Sequence, residues 1–177
     1  MKIFDEKYIM ATKHWDVLAY LIHEDGTKEL IRAIDHNLVV EQISVAIACL
    51  MKSQAGYSGL LYWAVGSGLE TWSDDDPPDP VETDSMLAAE TYRKAITSAD
   101  MIFIDANNIE SVTPTNRIQV TVTFGSAEAN GKLKEFGLFA GTATAVSNTG
   151  LMINHKTHQL ITKTSIVELA YTLRLTF

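Results

Sequence analysis

The sequence has a single cysteine, Cys49, and fewer basic than acidic residues. One cysteine excludes an intrachain disulfide and any cysteine-rich zinc site. The 14 Lys and Arg residues stand against 22 Asp and Glu residues, which gives a formal net charge of −8. This excess of acid disfavours binding to the phosphate backbone of nucleic acid, because such binding normally needs a basic face.

Long apolar stretches are also missing. No run approaches the roughly 18–20 residues that a membrane-spanning helix needs. Asp5 and Glu6 stand where a signal peptide would carry its apolar stretch. We therefore expect a chain that does not span a membrane and is not exported.

The residues that are present fit an ordinary globular domain. The chain has 177 residues, of which 46% are hydrophobic and 20% are charged, and such proportions are typical of folded proteins. A chain of this mass buries roughly 70% of its extended surface, so its hydrophobic core can be stable without a disulfide bond. We predict a single β-rich domain over residues 1–177.

The first part of the chain predicts a β-hairpin. Residues 15–23 are rich in aromatic and branched side chains, as strands usually are. Asp25 and Gly26 separate this run from a second one at residues 30–34. An Asp-Gly pair between two such runs is a strong hairpin signal, because glycine tolerates the positive φ of a tight turn.

A helix is predicted directly after the hairpin. Apolar residues recur at helical spacing over residues 38–51, and Asn37 is a suitable cap. Cys49 falls on the apolar face, where we expect a small buried side chain. We expect this helix to pack against the hairpin, so that the two together occupy about residues 14–53.

The remainder, about residues 60–177, has the pattern of a β-sheet protein. Residues 60–65 are a short apolar run between glycines, and residues 117–124 and 169–177 alternate apolar and polar side chains. Such alternation places one face of a strand in the core. The predicted fold class is mainly β with one α-helix (α+β). We expect an antiparallel β-sandwich or barrel-like structure with the N-terminal hairpin and helix packed on it.

Residues 73–80 form the most polar stretch of the chain and contain three of its four prolines. The composition predicts an exposed loop. Asp74, Asp75 and Asp76 are candidate calcium ligands, since calcium takes several oxygen ligands at once. The spacing of an EF-hand is absent, so a solvated acidic loop is favoured. Trp72 borders the loop and is the candidate binding contact, because its indole ring can pack on a ligand.

Histidines and carboxylates elsewhere give no catalytic pattern. His155 and His158 have a spacing found in some zinc sites, but positions three apart on a strand face opposite sides. Ordinary solvated histidines are therefore favoured. For Glu135 the pattern favours a rim position over a buried, hydrogen-bonded acid. A hydrolase that uses Glu135 with Asp100 or Asp105 is an alternative that no spacing requires. We predict no catalytic residue, no metal site and no cofactor.

Three segments carry a resemblance to a known group of proteins. They are YWAVGSG at 62–68 with the acidic loop and TDSML that follow it, PTNRIQVTVTF at 114–124, and GKLKEFGLF at 131–139. ITKT at 161–164 and LRLTF at 173–177 complete the series. This order resembles small structural proteins from the tail, baseplate and fibre regions of tailed bacteriophages, over about residues 60–177.

The resemblance implies a virion protein that is not an enzyme. It implies assembly with copies of itself and with other virion structural proteins, in the tail, baseplate, collar or fibre-attachment apparatus. From the charge and the apolar pattern, neither nucleic acid nor a membrane is expected as a partner. Exposed strand edges would permit the addition of a partner strand. The alternative is a receptor- or glycan-binding module of a phage fibre, in which Trp72, Asp74, Asp75 and Asp76 contact a host surface glycan.

Overall fold

The computed structural model of the chain describes residues 17–34 and 38–176. The N-terminal elements are β1 (Val17–Ile22), β2 (Lys28–Ile34), β3 (Leu38–Val39) and helix α1 (Gln42–Met51). The next strands are β4 (Ser58–Gly66), β5 (Glu90–Ala95), β6 (Met101–Ile104) and β7 (Glu110–Ser111). The last strands are β8 (Arg117–Phe124), β9 (Gly131–Gly141), β10 (Leu151–Lys163) and β11 (Glu168–Thr176). Trp15, the predicted cap Asn37 and the last residue, Phe177, lie outside the described residues.

The strands form two antiparallel sheets that enclose one core. Sheet A has six strands in the order β2-β1-β11-β8-β6-β7, and sheet B has five in the order β3-β10-β9-β4-β5. β1 pairs with β11, so the N-terminal hairpin is an integral part of sheet A. The predicted fold class, mainly β with one helix in an antiparallel sandwich, is confirmed.

Aromatic rings fill the centre of the core between the sheets. The ring centroids of Trp63 on β4, Phe136 on β9 and Tyr171 on β11 lie 5.2 to 5.5 Å apart. Phe124 on β8 meets Tyr171 edge-on at 6.3 Å. All four side chains are fully buried. The alternation predicted for β8 and β11 therefore turns their apolar faces into this core.

Helix α1 begins later than the spacing predicts, because Leu38 and Val39 first pair with β10 as β3. Ile43 and Ala46 are its buried residues. The helix packs mainly on β10, β4 and β9 of sheet B rather than on the hairpin, which corrects the expectation. Cys49 is only half-buried. Within the described ranges, no helix has the length and apolar character that crossing a membrane requires.

Residues 67–89, which we term the strap, cross the outer face of sheet B between β4 and β5. Leu87 of the strap packs with Ala64, Phe139 and Met152 in a second, smaller core on this face. Gly137 provides room, since a Cβ there would lie 3.2 Å from Leu87. The segment 73–80 is largely exposed, as predicted, and belongs to the strap. Sheet B is therefore covered on both faces.

The outermost strands of the two sheets are short or irregular. β3 and β7 have two residues each. The pairing of β1 with β2 shifts register between Ala19 and Tyr20, and that of β4 with β5 shifts between Val65 and Gly66. Short edge strands and bulges hinder the addition of a further strand. The edges are therefore poorer docking sites than the sequence pattern suggests.

Candidate functional site

Glu135 on β9 is the centre of a buried polar cluster on the outer face of sheet B. Its side chain has no exposed surface. Oε1 accepts the N–H of Gly68 at 3.2 Å and of Ala89 at 2.8 Å, and Oε2 accepts the N–H of Ala88 at 3.0 Å. Gly66, the partner of Glu135 in the β4–β9 pairing, leaves space for the carboxylate because it has no Cβ. The carboxylate thus binds both ends of the strap to β9.

His155 on β10 joins this carboxylate to a second one. Its Nε2 lies 3.1 Å from Oε2 of Glu135, and its Nδ1 lies 2.8 Å from Oδ2 of Asp84 in the strap. Asp84 also accepts the N–H of Val81 at 2.9 Å. We term Glu135, His155 and Asp84 the carboxylate–imidazole cluster. With a carboxylate on each side, the ring donates from both nitrogens.

Glu135 and His155 favour each other's charged forms. Burial alone would raise the pKa of Glu135, but hydrogen bonds from His155 and from the N–H groups of Ala89 and Ala88 outweigh it, and the pKa is lowered from 4.5. Burial alone would lower the pKa of His155. Hydrogen bonds to Glu135 and Asp84 outweigh that effect, and the pKa is raised from 6.5. Between pH 4.5 and 6.5 Glu135 is therefore ionised and His155 is protonated.

Both nitrogens of His155 and both carboxylate oxygens of Glu135 are hydrogen-bonded within the chain. A general base needs a free lone pair within reach of its substrate. Both nitrogens of His155 face carboxylates, so the imidazole offers no such lone pair. A cleft of about 280 Å³ beside the strap is lined by Asp84 and His155. What the arrangement does chemically is fasten the strap to β9 and β10.

Lys134 on β9 fastens the first half of the strap. Its Nζ donates to the carbonyl oxygens of Leu69 at 3.3 Å and Trp72 at 3.0 Å. Oδ1 of Asp74 lies 3.4 Å from the same nitrogen. The N–H of Leu160 on β10 donates to the carbonyl oxygen of Asp74 at 2.7 Å. The acidic segment, residues 73–80, therefore has exposed side chains, but its backbone is bound to sheet B.

The structure separates the candidate residues of the acidic segment. Trp72 and Asp74 line one cleft, of about 620 Å³. Asp75 and Asp76 line another, of about 300 Å³, together with Arg32. In the part of the chain that the structure describes, no group of three or more His, Cys, Asp or Glu side chains is arranged to hold a metal ion. The three aspartates thus do not converge on a calcium site.

His158 is buried, and so is His155, which corrects the expectation that both are solvated. The ring of His158 faces the core and stacks on Phe136 with centroids 6.1 Å apart. Its Nδ1 donates to the carbonyl oxygen of Gln159 at 2.8 Å, and its Nε2 accepts the hydroxyl of Tyr171 at 3.3 Å. Burial lowers the pKa of His158 to about 4. The two histidines face opposite sides of β10, as their spacing predicts, and their pKa values are shifted in opposite directions.

Glu135 is buried rather than at a rim, and its partners are not the acids considered from the sequence. Asp100 forms a capping box with Thr97. Asp105 accepts the N–H groups of Asn107 and Ile109 in the turn before β7. Both acids therefore stabilise local turns, and the hydrolase arrangement with Glu135 is not present.

His155 and Asp84 are the partners of Glu135 that sequence reasoning missed. One signal points to a buried partner: Lys134 and Glu135 interrupt a run of core residues on β9. A charge inside such a run must be paired or hydrogen-bonded. The identity of the partners has no sequence signature, because they come from β10 and from the strap.

Comparisons with known proteins give no match. No protein-family model, no curated protein and no solved structure matches the chain. Its function must be inferred from its own sequence and geometry.

Proposed function

We propose that the chain is a structural subunit of a tailed-phage virion, in the tail, baseplate, collar or fibre-attachment apparatus. The resemblance of residues 60–177 suggests this class of protein. The observation that supports a structural role is the carboxylate–imidazole cluster, whose three side chains each bind another part of the same chain. A satisfied buried network of this kind contributes rigidity. On this proposal the protein is not an enzyme and acts within the particle.

Rigidity of sheet B is a useful property for such a subunit. Its inner face packs on the aromatic core, and its outer face is covered by the strap. Lys134 and Glu135 bind the strap to the middle strand of the sheet. A surface that is fixed before association loses less conformational entropy when a neighbour binds. The subunit can therefore set a fixed spacing between its neighbours.

Exposed apolar side chains offer surfaces for assembly. Met51 at the end of α1 is 83% exposed, and Val112 after β7 is fully exposed. Leu50 contributes to a cleft of about 290 Å³ between α1 and the sheets, whose lining side chains are all apolar. Contiguous exposed apolar groups often mark contacts with other proteins. Because the strand edges are short or bulged, we expect neighbours to dock through such faces.

The first test is whether the chain is part of a particle. Phage particles released by bacteria that carry the gene should contain the chain after a high-salt wash, in a fixed ratio to other virion proteins. Quantitative mass spectrometry measures this ratio. The purified chain should also self-associate in analytical ultracentrifugation as its concentration is raised. Particles that lack the chain, together with a strictly monomeric chain, would contradict the proposal.

A pair of variants locates the contact surface. Met51→Glu should weaken self-association, because it places a charge on the exposed apolar end of α1. Ile166→Glu is the matched control, since Ile166 is also exposed but lies in the turn between β10 and β11. The control should associate as the unmodified chain does.

A further inference from the structure

The cleft lined by Trp72 and Asp74 has the size and lining of a small-ligand site. Its volume of about 620 Å³ falls within the range of about 300–1,000 Å³ that is usual for ligand pockets. It lies between the start of the strap and β9. One aromatic ring, that of Trp72, meets the charged groups of Glu70, Asp74, Lys132 and Lys134 there. The proposed assembly role does not involve this cleft, so assembly and ligand binding can be tested independently.

The indole ring of Trp72 is held in position by the protein. Its six-membered ring packs on Gly68, where any Cβ would collide with it. The backbone N–H of Trp72 donates to the carbonyl oxygen of Leu69 at 3.0 Å, and the backbone carbonyl oxygen of Trp72 accepts from the buried Nζ of Lys134. The residue is half-buried and also borders the cleft that contains Asp84. A fixed aromatic wall loses little freedom when a ligand packs on it.

The charged groups of this cleft balance each other. Two carboxylates, of Glu70 and Asp74, stand with two ammonium groups, of Lys132 and Lys134. Asp74 lies 3.6 Å from the Nζ of Lys132 and 3.4 Å from that of Lys134. Lys134 is buried and also donates to two backbone carbonyl oxygens, whereas the ion pair of Asp74 and Lys132 is 48% and 65% exposed, so a ligand can reach that pair and Glu70. A balanced set of donors and acceptors suits a neutral molecule that carries many hydroxyl groups.

We propose that this cleft binds a neutral saccharide. The C–H face of a pyranose ring packs on the indole of Trp72, whose ring offers a large apolar surface. Sugar hydroxyl groups donate to the carboxylates of Glu70 and Asp74 and accept from the ammonium group of Lys132. The aromatic surface supplies affinity, and the few polar groups fix the orientation of the sugar.

A glycan array with the purified full-length chain tests the proposal. The probes are glycans that end in glucose, galactose, N-acetylglucosamine or rhamnose, and each positive one is titrated by isothermal calorimetry. We expect the unmodified chain to bind at least one of them. Trp72→Ala should weaken that binding by about tenfold, which corresponds to about 1.4 kcal/mol. Trp72→Phe should retain most of the affinity, because an aromatic ring remains.

Two further variants keep the test independent of folding. Lys132→Met changes the same cleft at a mostly exposed side chain, and it should also weaken binding. Asp76→Asn is the matched control, because Asp76 belongs to the same segment but lines a different cleft. Thermal unfolding of every variant shows which of them are folded. The proposal is overturned if no glycan binds the unmodified chain, or if folded Trp72→Ala and Lys132→Met bind as tightly as Asp76→Asn.

Discussion

Replacing Glu135 with glutamine tests whether the carboxylate–imidazole cluster holds the strap. The change keeps the shape of the side chain but puts an NH2 group in place of one carboxylate oxygen. In one orientation this group faces the N–H groups of Ala88 and His155. In the other it faces the N–H groups of Gly68 and Ala89. Either way a donor meets a donor where water has no access, and His155 loses its buried anion.

We expect Glu135→Gln to lower the free energy of unfolding by about 3–5 kcal/mol, which is the usual cost of removing one member of a buried ion pair. The total stability of a domain is about 5–15 kcal/mol, so the variant should lose a large share of it. Urea unfolding between pH 4.5 and 6.5, where Glu135 and His155 are both charged, measures the change. Tryptophan fluorescence follows the transition, since Trp63 lies in the core.

Glu29→Gln is the matched control. Glu29 and His23 form the same kind of pair at 3.2 Å, but their side chains are 60% and 40% exposed, against 0% and 5% for Glu135 and His155. An exposed pair contributes about 0–1 kcal/mol. If Glu135→Gln costs no more than Glu29→Gln, the cluster does not hold the strap and the reasoning is refuted.

The same cluster gives stability a defined pH dependence. The lowered pKa of Glu135 contributes stability above pH 4.5, and this is lost as the pH falls through the lowered value. The raised pKa of His155 contributes stability below pH 6.5, and this is lost as the pH rises through the raised value. Glu135→Gln has no such carboxylate, so its free energy of unfolding should fall less than that of the unmodified chain as the pH drops below 4.5.

Three further variants test other parts of the structure. His158→Phe should flatten the dependence of unfolding free energy on pH between 6.5 and 4. Burial lowers the pKa of His158 to about 4, so as the pH falls the unfolded chain binds a proton before the folded chain does. The unmodified protein therefore loses about 3 kcal/mol of stability over that range. An unchanged slope in urea unfolding at several pH values would disprove this. Phe136→Ala should cost about 3–5 kcal/mol in the same assay, as buried aromatic truncations do, and a negligible loss would mean that the ring is not packed as described. Asp76→Ala should change stability by less than about 0.5 kcal/mol, as exposed substitutions usually do. A loss above about 2 kcal/mol there would place the side chain among the contacts that hold the strap.

β8 and the first hairpin show what local sequence can determine. The alternation over residues 117–124 predicts a strand with the bounds that β8 has in the structure. A one-residue shift would turn its apolar face to solvent, so the pattern has a single interpretation. The turn between β1 and β2 is equally local, because Gly26 adopts a φ of +81° there. Each of these features depends on residues that are close in sequence.

The start of α1 and the path of the strap depend on distant partners. Leu38 and Val39 fit the helical spacing, yet pairing with β10 places them in a strand. The strap has no regular pattern of its own over residues 67–89. Its position follows from Lys134 and Glu135 on β9 and from His155 on β10. Contacts of this range override local preference and leave no periodic signal in the sequence.

The candidate binding residues show the same division. Trp72 and Asp74 are near each other in sequence and line one cleft, so their grouping was predictable. Lys132, which completes that cleft, comes from β9 and was not. Asp75 and Asp76 look equivalent to Asp74 in sequence but border a different cleft. Neighbouring side chains on an irregular segment point in different directions, and composition alone does not show where.

The course of the strap also determines how the molecule would respond to a protease. Its exposed tip, at residues 73–76, lies between β4 and β5, so a single cut there divides the chain into two fragments. Both sheets contain strands from both fragments. In sheet A, β1 of the first fragment pairs with β11 of the second, and in sheet B, β4 of the first fragment lies between β5 and β9 of the second. A nicked molecule should therefore stay together in native buffer and separate only in denaturant. Exposed loop tips tolerate insertions best where their backbone is not bound to the rest of the fold, so a tag or a split site should follow Asp76 rather than Asp74, whose carbonyl oxygen accepts the N–H of Leu160.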